Sequence, residues 1–175
     1  MAKRIFLKEV REKQLDIFGQ SIPSGSNRKK VEAYGIPFVD PDPADIYLGL
    51  APLKEHLESV KQKTPFVVRK ALSEQDWSAF EASYKSGGKP PYAPRTILGI
   101  VLYGIMNGIT SLRSLENMAR VDLGCMWVSG GVYPDHATIG RFILLHSELL
   151  TDAFFNRLTA YILGKVGARN DTISG

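Results

Sequence analysis

Residues 94–106 read PRTILGIVLYGIM, and this stretch decides the fold. Proline suits the first turn of a helix, because its φ is already helical and its missing N–H has no partner there. The residues after it are apolar nearly all round, which is typical of a helix that is buried on every side. We therefore predict a central helix that begins near Pro94. Gly104 and Gly108 lie four residues apart, and we expect them to let a neighbouring helix approach closely.

The same region excludes a membrane span. The longest apolar run, Ile97 to Ile109, has 13 residues, whereas a spanning helix needs about 20. The first residues, MAKRIFLKEVREK, carry charges where a secretory signal needs an apolar stretch. A single cysteine, Cys125, excludes an internal disulfide and a multi-cysteine zinc site, and we expect it in the core. These features predict a soluble, cytoplasmic protein without membrane contact.

Further helical segments are predicted after the central helix. Ser111 is a good N-cap for one helix, and Asp135 is a good N-cap for a second. A short turn of helix that Gly130 closes lies between them. A last helix is expected at about 148–166. Helical periodicity turns the following side chains inward: Leu112, Leu115, Met118, Ile139, Phe142, Ile143, His146, Leu150, Phe154, Leu158, Tyr161 and Ile162.

The segments before the central helix are less regular. Ser73 is predicted to cap a helix that runs to about Lys85, with Trp77, Phe80 and Tyr84 on one face. A short helix is expected at 52–62. Residues 35–52 hold four prolines, and residues 19–30 read as a linker that ends in three consecutive cations.

The predicted fold is all-α. We expect a compact bundle of five or six short helices with a helix-turn-helix-like element, preceded by an irregular basic arm. The predicted boundaries place the arm and its short helices at residues 1–72, the helical domain at 73–166 and a tail at 167–175.

The positive charge is concentrated in the arm. Residues 1–70 carry 13 lysines and arginines against nine acidic residues, whereas residues 71–175 carry nine of each. This asymmetry indicates an anionic partner, although solvated tails show the same pattern.

The residues do not predict an active site. His56, His136 and His146 fall in different predicted elements, and none has a metal-ligating neighbour at the usual spacing. His146 lies on the apolar side of its helix and is expected to be a core histidine. The segment SGSNRKK lacks the glycine spacing of a phosphate-binding loop. We therefore expect no catalytic residue, no metal ligand and no cofactor.

Nucleic-acid binding has better support. The helix after Asp135 is predicted to have an outward face of Ala137, Gly140 and Arg141, with Thr138 beside it. Small residues let a helix approach DNA bases, arginine reaches guanine or phosphate, and His136 or Thr138 near the helix start reaches phosphate. Arg113 and Arg120 of the preceding helix are candidate phosphate contacts. The alternative is that all of these are ordinary solvated residues.

The residues from Tyr92 to Phe142 resemble a known family. The residues that carry the resemblance are Tyr92, Pro94, Arg95, Leu102, Tyr103, Gly104, Gly108, Ser111, Arg113, Leu115, Glu116, Trp127, Gly130, Gly131, Pro134, Asp135, His136, Thr138, Ile139, Arg141 and Phe142. Their order and spacing resemble the InsH-type N-terminal domain of bacterial insertion-sequence transposases of the DDE type. The resemblance covers about residues 73–166.

The resemblance implies a helical domain that binds double-stranded DNA at the terminal inverted repeats of a mobile element, and hence a protein associated with the nucleoid. It adds Arg95, which falls in the Tyr-x-Pro-Arg motif, to the candidate DNA contacts. In the family a catalytic domain follows, in which an Asp-Asp-Glu triad holds Mg²⁺. We expect that triad to be absent here, with Asp171 a tail residue, so that this chain is inactive alone. A separately encoded catalytic half or a second copy of the chain is then an expected partner.

The sequence departs from the family in two respects, the first of which is that residues 1–72 match it only loosely. Family members often carry arginines after the position of Phe142, where this chain has Ile143, Leu144 and Leu145. We therefore expect the linker cations Arg28, Lys29 and Lys30 to supply phosphate contacts. Two other functions remain open: a helical interaction or dimerisation module that docks through Trp77, Phe80 and Tyr84, and a stand-alone helix-turn-helix regulator.

Overall fold

The computed structural model describes residues 36–85 and 87–171, with side chains up to residue 167. The predicted linker and its cations Arg28, Lys29 and Lys30 lie outside the described residues.

The described residues form an all-α bundle, as predicted, and the region 73–166 holds the expected number of helices. A two-stranded antiparallel hairpin pairs β1 (Tyr47–Leu48) with β2 (Ala51–Pro52), next to a 3-10 turn at Pro43–Asp45. None of the described helices is long and apolar enough to cross a membrane. The helices are α1 (Leu53–Ser59), α2 (Thr64–Ser73), α3 (Ser78–Glu81), α4 (Pro94–Met106), α5 (Leu112–Val121), α6 (Leu123–Ser129), α7 (His136–Leu145) and α8 (Asp152–Asp171).

Helix α4 is the buried central helix that its sequence predicts. It packs against α2, α5, α6 and α7, and every residue from Thr96 to Gly104 is buried. Gly104 allows the close approach of α5, because a Cβ at this position would lie 2.1 Å from Leu115 Cδ2. Gly108 has a different role: its φ of +74° places it in the turn after α4, and no atom lies near a Cβ there.

The predicted N-caps form as the sequence indicates. The Ser111 hydroxyl accepts a hydrogen bond from the Ser114 N–H at the start of α5. The Asp135 carboxylate accepts one from the Thr138 N–H, 2.7 Å away, at the start of α7. Gly130 ends α6 in the left-handed region, with a φ of +71°. Each of these signals is local, so it can be read without the tertiary structure.

The prediction for Ser73 is wrong. Ser73 ends helix α2 instead of beginning a helix, and the helix that follows is only the four residues of α3. Helix α2 was not predicted, since no side chain caps it and Val67 and Val68 disfavour a helix locally. Burial of its apolar residues against α4, α6 and α8 stabilises it instead. The boundary predicted at residue 72 therefore falls inside a core helix.

Helix α8 also differs from its predicted form. It begins at Asp152 and continues to Asp171, beyond the expected end near residue 166. Leu158 and Ile162 are buried as predicted, but Tyr161 is exposed, and its hydroxyl donates a hydrogen bond to Glu74.

Residues 36–42 form an extended strap across the bundle. The Val39 N–H donates to Pro91 O, and the Ala93 N–H donates to Val39 O. Ile36 and Phe38 are buried with Ala93 in a second small core. The strap therefore ties the segment before α1 to the start of α4.

Candidate nucleic-acid interface

Helices α5 and α7 pack against each other, and one carboxylate joins them. Glu116 Oε2 on α5 accepts a hydrogen bond from the backbone N–H of His136 and lies 2.7 Å from His136 Nδ1. Glu116 Oε1 accepts a hydrogen bond of 2.9 Å from Arg120. Helix α7 packs against α4 as well as against α5. Glu116 therefore fixes the start of α7 on α5.

These contacts lower the pKa of the Glu116 carboxyl below its ordinary value. The largest cause is the pair of hydrogen bonds with His136, and the charge of Arg120 acts in the same direction. The carboxylate is thus the favoured form, and the link between α5 and α7 weakens only when acid protonates it.

The outer side of α5 carries a stripe of hydrogen-bonding side chains that we name the cationic face: Arg113, Asn117 and Arg120. They lie at positions i, i+4 and i+7, which share one side of a helix. All three are exposed, whereas Leu115 and Met118 on the opposite side are buried. Arg113 makes no hydrogen bond or ion pair within the described part of the chain.

Arg120 is held in place but remains accessible. Its guanidinium pairs with Glu116, lies 5.7 Å from the ring centroid of Tyr133, and keeps half of the side chain exposed. His136 is also partly exposed, beside this pair. The structure therefore places two of the residues predicted from sequence, Arg120 and His136, on the same carboxylate, and Arg113 two turns away on the same side of α5.

The predicted outward face of α7 is different from expectation. Gly140 turns towards α5, since a Cβ there would lie 3.0 Å from Leu112 Cδ1. The Thr138 hydroxyl and the Nε and Nη1 atoms of Arg141 are shielded from solvent. Burial lowers the pKa of Arg141, although the charge of Asp135 opposes this shift. Arg141 as a whole is partly exposed, and the most exposed side chain of α7 is Leu144. Gly140 and Arg141 are therefore less open to solvent than the outward face predicted from sequence.

Arg95 lies away from the cationic face. Its guanidinium pairs with Asp40 of the strap, whose carboxylate is almost completely buried. Arg69 approaches the same carboxylate and donates hydrogen bonds to Val128 O and Pro41 O. Arg95 therefore connects the strap to α4.

The aromatic docking surface proposed from sequence is not available. Trp77 and Phe80 are buried, and the Trp77 indole donates a hydrogen bond to Leu72 O. Tyr84 is half-buried, with its ring at 5.3 Å from that of Phe38. Phe80 packs against Phe154 of α8 and Tyr84 against Phe38 of the strap, so contacts within the bundle cover most of this aromatic surface.

His146 and Cys125 are core residues, as predicted. His146 is 1% exposed and packs among the rings of Phe80, Tyr84 and Phe142. Burial lowers its pKa to about 4. Cys125 is completely buried, and burial raises the pKa of its thiol to about 12. Within residues 36–85 and 87–171, no three acidic, histidine or cysteine side chains are grouped to hold a metal ion.

Asn117 on the cationic face, and Glu116 and Tyr133 beside Arg120, are not among the DNA contacts predicted from sequence. A signal for Asn117 exists: it lies between two arginines on the polar side of a strongly amphipathic helix. Nothing in the sequence predicts the Glu116–His136 contact, because it joins residues 20 positions apart across two helices.

Comparison with known proteins gives one match. A family model described as "Transposase domain (DUF772)" matches residues 54–144, which include the cationic face, helices α2 to α6 and all but the last residue of α7. No curated protein and no solved structure matches the chain. Since the match covers more than half of the sequence, the chain belongs to the DUF772 transposase domain family.

Proposed function

We propose that this transposase-family chain is a DNA-binding module that recognises the terminal inverted repeats of a mobile element through the cationic face. The observation that carries the proposal is the stripe of Arg113, Asn117 and Arg120, three exposed side chains on one side of α5. The family assignment supports a role with DNA ends.

The stripe has the chemistry of base and phosphate recognition. Arginine donates two parallel hydrogen bonds to guanine or one to a phosphate, and asparagine pairs with the donor and acceptor of adenine. Seven residues of helix rise about 10 Å, so the three side chains span about three base pairs of a duplex at 3.4 Å each. The major groove, about 12 Å wide, admits a helix.

Glu116 positions the stripe. It holds Arg120 through one oxygen and the start of α7 through the other. It also reduces the net charge of the surface, so that Arg113 and Arg120 face DNA with one neighbouring anion. Charge alone would then give modest affinity, and directed hydrogen bonds are needed for recognition.

The test uses the full chain and a random 30-base-pair duplex library. The library is enriched by repeated rounds of binding. The affinities of the chain for an enriched duplex and for the starting library are then measured by fluorescence anisotropy. We expect Arg113→Ala and Arg120→Ala each to weaken binding to the enriched duplex about tenfold and to reduce the dependence of log K on log salt by about one. Lys54→Ala, which removes an exposed cation on α1, is the matched control and is expected to leave binding unchanged.

Arg141→Ala distinguishes α5 from α7 as the recognition helix. Loss of binding in Arg141→Ala, with none in the two α5 variants, would contradict the proposal. Failure to enrich any sequence would contradict specific recognition, and an unchanged salt dependence in both α5 variants would contradict contact with phosphates.

A further inference from the structure

A second candidate site lies in a cleft on a different part of the surface. Its volume is about 490 Å³, within the range of small-ligand sites in proteins. Helices α2 and α6, the start of α4 and the strap form its walls, and no residue of the cationic face lines it. The lining side chains include Phe66, Lys70, Trp127, Arg69, Arg95 and Asp40.

One wall of the cleft is aromatic. The rings of Phe66 and Trp127 contact each other with centroids 4.8 Å apart and an interplanar angle of 57°. Both side chains are half-buried, so part of each ring remains accessible. The pair does not belong to the buried core. Trp77, by contrast, is a core residue, and its indole N–H donates a hydrogen bond to a backbone carbonyl. An accessible indole can stack on a planar ligand.

The rest of the cleft is cationic. Arg69 and Arg95 lie over the buried Asp40, with 21% and 28% of their side chains exposed against 1% for the carboxylate. The cations are therefore more accessible than the anion with which they pair. Lys70 is exposed and makes no ion pair within the described ranges. Asp42 also lines the cleft and opposes this potential in part, so that three cations face two carboxylates there.

We infer that this cleft binds an unpaired nucleotide of a DNA strand, with the base against Trp127 and a phosphate near Lys70. Aromatic stacking accepts any base, and cations beside the ring hold the backbone, which is the usual combination in single-strand binding. A base inside a duplex has no free face to offer, so the site is selective for unpaired DNA. The inference rests on the proposed function in that the ligand is DNA, but it uses other residues.

The test follows binding of the full chain to fluorescein-labelled oligo(dT) of 12 nucleotides by anisotropy. We expect Trp127→Leu to weaken this binding about tenfold, Trp127→Phe to retain most of it, and Lys70→Ala to weaken it and reduce its salt dependence. Tryptophan emission of the wild type should fall on titration with unlabelled oligo(dT), because Trp127 is accessible and Trp77 is buried. Thermal unfolding of each variant checks that it is folded.

The two proposals fail separately. Trp127→Leu is expected to bind the enriched duplex normally, while Arg113→Ala is expected to bind oligo(dT) normally. Equal oligo(dT) binding by the wild type and Trp127→Leu would overturn the nucleotide site even if duplex binding holds. Equal competition by a polyglutamate peptide would overturn it as well, since the cleft would then recognise charge alone. If Trp127→Leu does not fold, unchanged tryptophan emission of the wild type on titration with oligo(dT), together with unchanged oligo(dT) affinity in Lys70→Ala, would overturn it.

Discussion

At the scale of single residues, Asp40 is the clearest case of a buried charge with a structural role. Its carboxylate lies between Arg69 and Arg95 and comes within 3.4 Å of the Thr96 hydroxyl. Burial of an anion is tolerated because the two guanidinium groups compensate it. Burial lowers the pKa of Arg69, and the charge of Asp40 opposes that shift. The three residues come from the strap, α2 and α4, so one carboxylate connects three segments.

Asp40→Asn should therefore destabilise the protein. The amide keeps the shape of the side chain but leaves two partly buried cations without their anion, and we expect the free energy of unfolding to fall by about 3 kcal/mol. Urea denaturation measures this change. Asp45→Asn, at an exposed position, is the control and should change stability by less than about 0.5 kcal/mol. Equal stabilities of the two variants would contradict the role of Asp40.

His146 should make stability depend on pH. Burial lowers its pKa from 6.5 to about 4, so between these values the unfolded chain binds a proton that the folded chain does not. Stability is then complete above pH 6.5 and falls as the pH decreases. Between pH 7.5 and 5.0 this residue should remove about 2 kcal/mol. Urea denaturation at the two pH values should show that the free energy of unfolding of His146→Phe falls by about 2 kcal/mol less than that of the wild type. An equal fall in the wild type and in His146→Phe would contradict the prediction.

At the scale of elements, the contact between α4 and α5 depends on the absence of one side chain. Gly104 leaves the space that Leu115 occupies, and Met118 lies at 3.4 Å from the same point. Leu115 is itself buried, so it has little room to move away. The position of α5, and with it the orientation of the cationic face, therefore depends on Gly104.

Gly104→Ala and Gly164→Ala should have opposite effects. Alanine favours a helix over glycine by about 1 kcal/mol, but at Gly104 the overlap with Leu115 should outweigh this gain and destabilise the protein by about 1–3 kcal/mol. Gly164 in α8 has open space around it, so Gly164→Ala should stabilise by up to about 1 kcal/mol. Thermal or urea unfolding of both variants tests this, and stabilisation by Gly104→Ala would show that the two helices separate easily.

At the scale of the whole molecule, the folded unit extends beyond the matched family region. The match begins at residue 54, whereas the strap at 36–42 contributes Ile36, Phe38 and Asp40 to buried contacts. Gly130 accommodates the strap closely, since a Cβ there would lie 2.3 Å from Pro41 O. The strap also forms one wall of the cleft. The bundle is therefore completed by residues that precede it in the chain.

A fragment of residues 36–171 should therefore be more stable than a fragment of residues 54–171. The shorter fragment lacks the strap, the hairpin and the fully buried Leu53, so it exposes apolar surface and leaves Arg69 and Arg95 without Asp40. We expect the midpoint of thermal unfolding to fall by at least about 10 °C, since each kcal/mol is worth several degrees in a domain of this size. Circular dichroism measures the transition. Equal midpoints would mean that the strap is an accessory to the bundle.

Much of the bundle follows from local sequence signals. Pro94 and the apolar run after it determine α4, and Ser111 and Asp135 determine the starts of α5 and α7, because an N-cap acts on the three residues beside it. The core position of His146 follows from helical periodicity. Helix α2 does not follow from local signals, because these are weak there. Burial against three other helices stabilises it instead.

In the candidate site, too, some features follow from local sequence and others from tertiary packing. The sequence by itself determined the candidate contacts Arg113, Arg120 and His136, the helices that carry them and the likeness to a transposase domain. Only the tertiary structure decided that His136 lies beside Glu116 and Arg120, that the Nε and Nη1 atoms of Arg141 are shielded, and that Arg95 pairs with Asp40. The physical reason is that periodicity reports which side of a helix is apolar, whereas solvent access on the polar side depends on neighbours that are distant in the chain.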